Sequence, residues 1–247
     1  MPCLLLRNRG LVKTVKFRDA SYIGDPVNTV RIYNEQEVDE LVFLDITATT
    51  AEKEIQYEVI GEIAGECYMP VTYGGGIRSI EHMSEIFSLG VEKVVINSAA
   101  VEAPELIREA AQRFGSQSIV VSMDVKRRFL GGYETYTHGG TRRTRLDPIR
   151  HARQAAEAGA GELLVTSIDR DGTMSGYDLE LTRAVSDAVE VPVIACGGAG
   201  SIEDFGLAVQ QGGASAVAAG SLVVYQGTNR SVLINFPARE ELESVLA

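Results

Sequence analysis

The sequence predicts a closed barrel of eight parallel β-strands alternating with α-helices, a (β/α)8 TIM barrel. Two observations favour this class. Short aliphatic runs alternate with helical ones along the 247 residues, a pattern typical of repeated strand and helix units around a parallel sheet. The chain also reads as two related halves, about 1–118 and 119–247. We therefore expect one barrel over residues 1–247, built from duplicated half-barrels.

The internal repeat is the stronger of these observations. Pro70–Glu81 matches Pro192–Glu203 at an offset of 122 residues, with Pro, Val, two glycines and Ser-Ile-Glu in common. The same offset relates Glu40–Phe43 to Glu162–Val165. This period is too long for a solenoid, whose repeats span about 20–50 residues. It indicates a duplicated half-domain.

Eight short apolar runs are predicted to form the barrel strands. Each has the length of a buried parallel strand and is bounded by turn residues. In chain order they are Cys3–Leu6, Leu41–Asp45, Val71–Tyr73, Val94–Asn97, Ile119–Val125, Leu163–Thr166, Val193–Ala195 and Ala216–Ala219.

Helical periodicity fills the intervals between these runs. Ser79 and Ser201 are predicted N-caps, and Pro148 suits a first helical turn. An open doubly wound sheet is the alternative, but neither half opens its first helix with G-x-G-x-x-G. The clearest predicted helices are Ile80–Leu89, Glu105–Phe114, Leu146–Ala158, Leu179–Val189, Ile202–Gln211 and Arg239–Leu246.

Composition limits the class of protein. No apolar run approaches the roughly 18 residues of a membrane helix, and no signal sequence precedes the first strand, so we expect a cytoplasmic protein without membrane contact. The net charge of −11 disfavours nucleic-acid binding, because a phosphate backbone attracts basic surfaces. Cys3, Cys67 and Cys196 are odd in number and form no C-x-x-C pair. Disulfides, a metal site and a cofactor are therefore not expected.

Glycines and small polar residues are predicted where several strands end, which is where a barrel of this class carries its chemistry. Glycine lets main-chain N–H groups approach an anion, and a helix start adds a favourable dipole. Tight turns alone are the alternative, but the motif occurs in both halves. The sequence therefore predicts two phosphate cradles at one mouth of the barrel, formed by Gly75, Gly76, Asn97 and Ser98 in the first half, and by Asp171, Gly172, Gly197, Gly198, Gly220 and Ser221 in the second.

One carboxylate is predicted at this mouth on strand 5. Asp124 lies among apolar neighbours near the end of its run, a position typical of functional residues in this fold. The repeat aligns Cys3–Arg7 with Ser122–Lys126, so the equivalent position on strand 1 is Leu5. A pair of acid–base carboxylates is thus reduced to one. The alternatives are a structural acid paired with Lys126 or a loop, and a leucine that simply packs in the barrel.

The segment after strand 5 is basic in an acidic chain. Between Lys126 and Arg145 it holds six Lys or Arg residues and His138 against the single acid Glu134. The glycine pairs Gly131-Gly132 and Gly139-Gly140 indicate the turns of a two-stranded excursion. Such a loop could clamp an anionic substrate, dock an acidic partner, or be a solvated loop without a role.

Eight motifs spread along the chain resemble motifs of one known protein family. They are Pro2-Cys3-Leu4, Leu11-Val12-Lys13, Gly24–Val27, Asp39–Ala48, Gly74–Ile77, Ile96–Val101, Phe114–Gln117 and Thr166–Asp178. Together they resemble the cyclase subunit (HisF type) of imidazole glycerol phosphate synthase over essentially the whole chain. The run Thr166–Asp178 is the most specific of them.

The resemblance implies a barrel that works with a class I glutaminase subunit (HisH-like), docked at the N-terminal face. It also implies that ammonia passes through the barrel and attacks a phosphorylated small molecule at the mouth. By the resemblance, Asp124 matches a catalytic aspartate and Lys13 a lysine of the first loop, whereas Leu5 replaces a second aspartate. A general acid–base step contributes about 10²–10⁴ in rate. Cyclase (lyase) activity by the usual mechanism is therefore not expected.

Three charged residues at the starts of even-numbered strands are implied to form an ammonia gate. The resemblance assigns this role to Glu40, Lys93 and Glu162. Charged side chains at the floor of a barrel are costly to bury unless they are paired or have a function. A ring of ion pairs that merely closes the floor is the alternative.

The C-terminal stretch 222–237 departs from the histidine-pathway enzyme. It resembles paralogues associated with glycosyl amidation in surface-polysaccharide biosynthesis, in which the barrel is implied to supply ammonia to a separate ATP-dependent sugar amidotransferase. Two other functions stay open. One is a true cyclase of histidine biosynthesis, and the other is a non-catalytic scaffold that activates the glutaminase.

Overall fold

The described residues curl into a closed barrel, and the (β/α)8 prediction is confirmed. The structure is a computed structural model that describes residues 1–49, 53–227 and 229–246. Thr228, within the stretch 222–237 noted above, lies outside the described residues.

Eight parallel strands form the wall of the barrel and pair in sequence order. Strands 8 and 1 close the ring through a parallel bridge between Pro2 and Ala219 and a hydrogen bond from Cys3 N to Ala219 O of 2.8 Å. We number these barrel strands 1 to 8: Cys3–Arg7, Leu41–Asp45, Val71–Gly74, Lys93–Ile96, Ile119–Arg127, Glu162–Ser167, Val193–Cys196 and Ala216–Ala218.

Helices follow the strands and cover the outside of the barrel. In the described ranges they are Pro26–Glu35, Tyr57–Glu66, Ile80–Ser88, Ser98–Glu102, Glu105–Phe114, Pro148–Ala158, Leu179–Ser186, Glu203–Gln210, Ser221–Val224 and Arg239–Leu246, with one turn of 3₁₀ helix at Ser116–Ser118.

Two of the predicted helix starts are confirmed and one is wrong. The Ser79 side chain accepts the N–H of His82 as an N-cap, and Pro148 lies in a first turn. The predicted cap at Ser201 is wrong, because the carboxylate of Asp204 accepts the N–H groups of Gly200 and Ser201 at 2.8 and 3.1 Å. Asp204, in the first turn of the helix Glu203–Gln210, thereby fixes the loop that leads into it.

Two antiparallel excursions rise from the C-terminal ends of the strands, the face we call the mouth. A hairpin of Gly10–Val15 and Arg18–Gly24 follows strand 1, and the sequence analysis had not predicted it. The excursion after strand 5 was predicted: strand 5 pairs with Tyr133–Thr137, which pairs with Arg142–Arg143. A short ribbon of Tyr225–Gln226 and Ser231–Val232 follows the last barrel strand.

The core has an outer and an inner part. The outer part fills the space between the strands and the helices. The inner part is a plug of small apolar side chains inside the barrel, and it separates the mouth from the opposite face, which we call the floor. Its buried members are Cys3, Val42, Val95, Val120, Leu164, Ile194 and Ala218. No helix in the described part of the chain is long and apolar enough to cross a membrane.

Candidate functional site

A cavity of about 730 Å³ opens at the mouth. The structure brings all the predicted mouth residues to its wall, from both halves of the repeat. They are Leu5, Lys13, Gly75, Gly76, Asn97, Ser98, Asp124, Asp171, Gly172, Gly197, Gly198, Gly220 and Ser221. The three predicted gate residues do not line this cavity.

Asp124 is the buried acid of the cavity. It is 9% exposed, and the Asn97 side chain hydrogen-bonds to its carboxyl group. Burial is the main cause that raises the pKa of Asp124 to about 7, and the nearby negative charge of Asp171 adds to it, whereas the hydrogen bond from Asn97 acts in the opposite direction. Asp124 can therefore gain or lose a proton near neutral pH.

Strand pairing makes Leu5 the structural equivalent of Asp124. Leu5 lies opposite Leu44, and Asp124 lies opposite Thr166. Leu44 and Thr166 are 122 residues apart, which is the offset of the repeat. The carboxylate present in the second half is thus absent from the matching position of the first half.

Lys13 is held inside the mouth by an ion pair with Asp171. The Lys13 ammonium is 2.9 Å from Asp171 Oδ1, and the two side chains are 6% and 9% exposed. Asp171 Oδ2 accepts the Thr14 hydroxyl at 2.8 Å, and the main-chain N–H of Lys16 donates to Asp171 O at 2.8 Å. The loop after strand 6 thereby fastens the first hairpin over the cavity.

Glycine is required at one of these contacts. Gly172 has φ +71°, and a Cβ atom there would lie 2.2 Å from Thr14 O. Gly172 therefore lets the main chain approach the hairpin more closely than any other residue would. At Gly220 a Cβ atom would lie 2.9 Å from Lys13 Cε, which is near the end of a flexible side chain.

The glycine pairs after strands 3 and 7 serve a similar purpose. Gly75 has φ +127°, and a Cβ atom there would lie 2.5 Å from Asp45 O. Gly198, the repeat equivalent of Gly76, has φ +120°, with Gly176 O at 2.2 Å from a Cβ position. The two loops therefore need glycine both for backbone angles and for space.

Two buried polar atoms in the cavity wall have no hydrogen-bond partner among the described residues. They are Asn97 Oδ1 and Ser221 Oγ, which follow strands 4 and 8. Burying a polar atom without a partner costs about 1–3 kcal/mol. Ser98, beside Asn97, accepts the main-chain N–H of His138 at 3.1 Å instead. The unpaired atoms are therefore the ones available to a ligand.

The gate residues form an ion-pair triad at the floor. The Lys93 ammonium lies 2.9 Å from Glu40 Oε2 and 2.9 Å from Glu162 Oε1. Thr72 donates to the other oxygen of Glu40, whereas Glu162 Oε2 is buried without a partner in the described ranges. Burial alone lowers the pKa of Lys93, but the hydrogen bonds from Lys93 to Glu162 and Glu40 outweigh it and raise the pKa.

The basic excursion after strand 5 is held by ion pairs at both ends. Arg127 pairs with Glu180, and Arg143 pairs with the buried Glu134. At its lower turn, Arg142 is 3.1 Å from Glu102, and His138, Gly139, Thr141 and Arg142 line the cavity.

Sequence reasoning missed several polar residues of the site, including a threonine and two arginines. Thr14 holds Asp171, and Arg7 and Arg78 line the cavity. Position was the available signal for the arginines, since Arg7 ends strand 1 and Arg78 follows the first glycine loop. Within the described part of the chain, no group of three or more His, Cys, Asp or Glu side chains is placed to hold a metal ion.

Known proteins resemble the chain along its whole length. A protein from Pseudomonas aeruginosa named as subunit hisF2 of imidazole glycerol phosphate synthase is 52% identical over 243 residues, which cover 98% of this chain and 97% of the relative. A Vibrio vulnificus protein named as subunit hisF3 is 46% identical over 247 residues, covering 100% and 95%. Subunit HisF of Alkaliphilus metalliredigens is 50% identical over 225 residues, covering 91% and 89%.

The family model described as "Histidine biosynthesis protein" matches residues 1–229. That match, the identities above and the (β/α)8 barrel with its duplicated halves agree. The chain belongs to the histidine biosynthesis protein family and is of the HisF type.

Proposed function

We propose that this chain is the ammonia-conducting barrel subunit of a glutamine amidotransferase system. Its partner is a class I glutaminase, docked at the floor. The final nitrogen acceptor is the substrate of a separate ATP-dependent sugar amidotransferase. This proposal separates the delivery of ammonia from the ring closure that HisF-type cyclases perform.

One observation carries the proposal: the gate triad is complete while the acid–base pair is not. Lys93 bridges Glu40 and Glu162 at 2.9 Å each, and Leu5 occupies the position equivalent to Asp124. Since leucine can neither accept nor donate a proton, the mouth lacks one of two acid–base groups. The features for conducting ammonia are retained where those for cyclisation are reduced.

The inner plug supports a route for neutral ammonia rather than ammonium. Its wall is mainly aliphatic, with Val42, Val95 and Val120 among its buried members. A charged ion is costly to place in such surroundings, whereas a small neutral molecule is not. We infer that nitrogen crosses the barrel as NH3.

A phosphorylated small molecule is the proposed ligand of the mouth. The unpaired Ser221 hydroxyl and the main-chain N–H groups of the glycine loops can donate hydrogen bonds to phosphate oxygens, whereas the unpaired Asn97 Oδ1 can only accept a hydrogen bond, for example from a ligand hydroxyl. Lys13, Arg7 and Arg78 add positive charge. We expect inorganic phosphate to raise the melting temperature of the protein, since a ligand that binds only the folded state stabilises it.

A cyclase of histidine biosynthesis is the second candidate function. Asp124, with its pKa near 7, and Lys13 favour it, as do both cradles. Expression of the chain in a bacterium that lacks its own cyclase subunit tests it. The first proposal predicts no growth without histidine, and growth would establish the second.

A scaffold that activates the glutaminase without conducting ammonia is the third candidate. An isotope experiment distinguishes this candidate from the first. Glutamine labelled with ¹⁵N in its side-chain amide is supplied together with the amidotransferase and unlabelled ammonium, and the label in the product is measured. Conduction predicts that the product carries mostly ¹⁵N. If the chain is only a scaffold, the nitrogen in the product should have the isotope ratio of the ammonium in the bulk solution.

Lys93→Met is the matched variant for that experiment. It keeps the length of the side chain but removes the charge that closes the triad. We expect glutamine hydrolysis to continue while the ¹⁵N fraction of the product falls at least twofold, because ammonia then leaks at the floor. An unchanged ¹⁵N fraction would show that Lys93 does not help to confine ammonia to the route.

A further inference from the structure

The turn at the top of the strand 5 excursion exposes two large apolar side chains. Phe129 is 102% exposed and Leu130 is 94% exposed. Adjacent apolar side chains that stand fully in solvent are uncommon unless they bind a partner. They occupy the outer corner of the turn formed by Arg128 to Gly132.

This turn is held in a defined shape. Arg128 N donates to Gly132 O at 2.9 Å, and Gly131 N donates to Arg128 O at 3.1 Å. Gly131 and Gly132 have φ values of +91° and +75°, which residues with a side chain rarely adopt. The backbone therefore fixes Phe129 and Leu130 outward instead of letting them fold back onto the barrel.

The base of the turn is anchored to neighbouring elements. The main-chain N–H of Arg127 donates to Asp169 Oδ2 at 3.0 Å. Its guanidinium donates to the Tyr133 hydroxyl at 2.7 Å, and that hydroxyl donates to Asp178 at 2.8 Å. The turn is thus tied to the loops after strand 6, beside the opening of the cavity.

The position of the turn suits a partner at the mouth. Strand 5 continues from Asp124 through Arg127 before the turn begins, and a strand rises about 3.3 Å per residue. Phe129 therefore stands roughly 15 Å beyond Asp124 along the strand, outside the cavity. A protein bound to it would cover the opening through which ammonia leaves.

The charges around the turn define the partner surface. Arg128 is exposed and makes no ion pair in the described part of the chain, and Lys126 and Arg145 are on the same excursion. The whole chain nevertheless has a net charge of −11. An acidic surface with an apolar cleft is complementary to this excursion and is repelled by most of the remaining molecule.

We propose that the Arg128–Gly132 turn is the docking element for the enzyme that consumes the ammonia, which binds through an apolar cleft with an acidic rim. This inference rests on the proposed function, because ammonia that leaves the mouth unprotected becomes ammonium in neutral water and loses its nucleophilic lone pair. A docked acceptor receives it before that happens.

The test uses the full chain, its glutaminase and a purified ATP-dependent sugar amidotransferase from the same genome. Phe129→Ser together with Leu130→Ser is expected to weaken binding of the barrel to the amidotransferase at least tenfold and to lower transfer of ¹⁵N from glutamine. Both side chains are exposed, so the variant should fold and should stimulate glutamine hydrolysis as the unaltered chain does. Tyr68→Ser is the matched control for the amidotransferase binding measurement alone, made without the glutaminase, since this 88% exposed tyrosine lies at the floor.

The outcomes separate the inference from the proposed function. If the unaltered chain transfers ¹⁵N and the double variant binds and transfers equally well, the docking element is wrong and the proposed function stands. If the unaltered chain transfers no ¹⁵N to the amidotransferase, both are wrong. A dimer of the chain that the double variant abolishes would assign the turn to a second copy and overturn the inference.

A charge variant adds a second measurement. Arg128→Glu is expected to weaken amidotransferase binding more than Arg128→Gln does, and the difference should shrink as salt is raised, because salt screens exposed charges. Equal binding by the two variants at low salt would contradict an acidic rim.

Discussion

Asp124 and Leu5 are equivalent positions in the two halves of the barrel, but only one of them carries an acid. Both lie at equivalent points of strands 5 and 1, and both line the mouth cavity. Asp124 has its carboxyl buried beside the Asn97 amide and near Asp171. No ion pair to Asp124 is present among the described residues, so its charge is uncompensated in the folded state. Two experiments follow at this scale.

The first concerns the stability of the protein as a function of pH. The pKa of Asp124 is raised from 3.8 to about 7, so above pH 4 the unfolded chain loses this proton before the folded chain does. Stability is then greatest below the unfolded pKa and decreases as the pH rises through the folded pKa, by at most about 4 kcal/mol.

Asp124→Asn removes this titration. We expect urea unfolding to show that the variant gains stability relative to the unaltered protein between pH 4 and pH 7, with the difference constant above pH 8. Parallel curves for the two proteins over this range would show that Asp124 titrates normally.

The second experiment restores the missing carboxylate. Leu5→Asp places an acid at the strand 1 position that matches Asp124. We expect cyclase activity to rise less than about tenfold, short of the roughly 10²–10⁴ that a well-placed acid–base group contributes, because the loops around the mouth differ as well. A gain of a hundredfold or more in a cyclase assay would favour the histidine-pathway function.

At the scale of elements, the hairpin after strand 1 depends on the loop after strand 6. Asp171 accepts hydrogen bonds from the side chains of Lys13 and Thr14 and, through its main-chain oxygen, from Lys16 N. Few apolar residues of the hairpin are buried beyond Leu11, Val12 and Ile23. Residues 10–12 of the hairpin also pair with strand 1, so the contacts to Asp171 act on its outer part, from Lys13 to Phe17.

Asp171→Asn tests this dependence. The variant leaves the buried Lys13 ammonium without a counter-charge, and removing one partner of a buried ion pair costs about 3–5 kcal/mol. We expect faster amide hydrogen exchange in the hairpin Gly10–Gly24 and lower stability. The exposed pair Arg31–Glu66 offers the control, since Glu66→Gln should change neither measurement appreciably. Unchanged exchange in the hairpin would mean that packing alone holds it.

The same hairpin shows where sequence reasoning stops. Glycine pairs in the sequence predicted the excursion after strand 5. The turn of the first hairpin instead uses Lys16 and Phe17, with φ values of +53° and +62°. Those residues carry no turn signal, because such angles normally favour glycine or asparagine. The Lys13 to Asp171 contact spans 158 residues and depends on barrel closure.

Strands and cradles could be predicted because their signals are local. Apolar runs identified all eight strands to within a few residues, and the repeated glycines placed the loops at one mouth. Asn97 illustrates the remaining error: it was assigned to the end of strand 4, whereas the strand ends at Ile96 and Asn97 is the N-cap position of the short helix Ser98–Glu102. Arg7 and Arg78 were missed because single cations after a strand are common on any surface.

At the scale of the whole molecule, charge is divided between the two faces. Seven loops lead from helices into strands 2 to 8 at the floor, and in the described ranges they contain no Lys or Arg. Their charged residues are Glu37, Asp39, Glu40, Glu92, Asp187 and Glu190. The excursion at the mouth is basic. If the proposed function holds, a glutaminase docked at the floor needs a basic face, and an acceptor enzyme at the mouth needs an acidic one.

This division predicts how the glutaminase binds. Tyr68 is exposed in one of the floor loops, and aromatic side chains often dominate the binding energy of an interface. We expect Tyr68→Ser to weaken glutaminase binding about tenfold or more in calorimetry, and added salt to weaken binding of the unaltered chain. Tyr22→Ser, at a tyrosine that is 69% exposed on the first hairpin, is the control. A glutaminase complex insensitive to both Tyr68→Ser and salt would place the interface elsewhere.

Lys13 belongs to two sets of contacts at the mouth. Its ammonium pairs with Asp171, after strand 6, and its side chain lies beside Gly220, after strand 8. An anion that binds Lys13 must therefore compete with the Asp171 carboxylate for a single ammonium group. Ligand binding at the mouth and attachment of the first hairpin thus share one side chain.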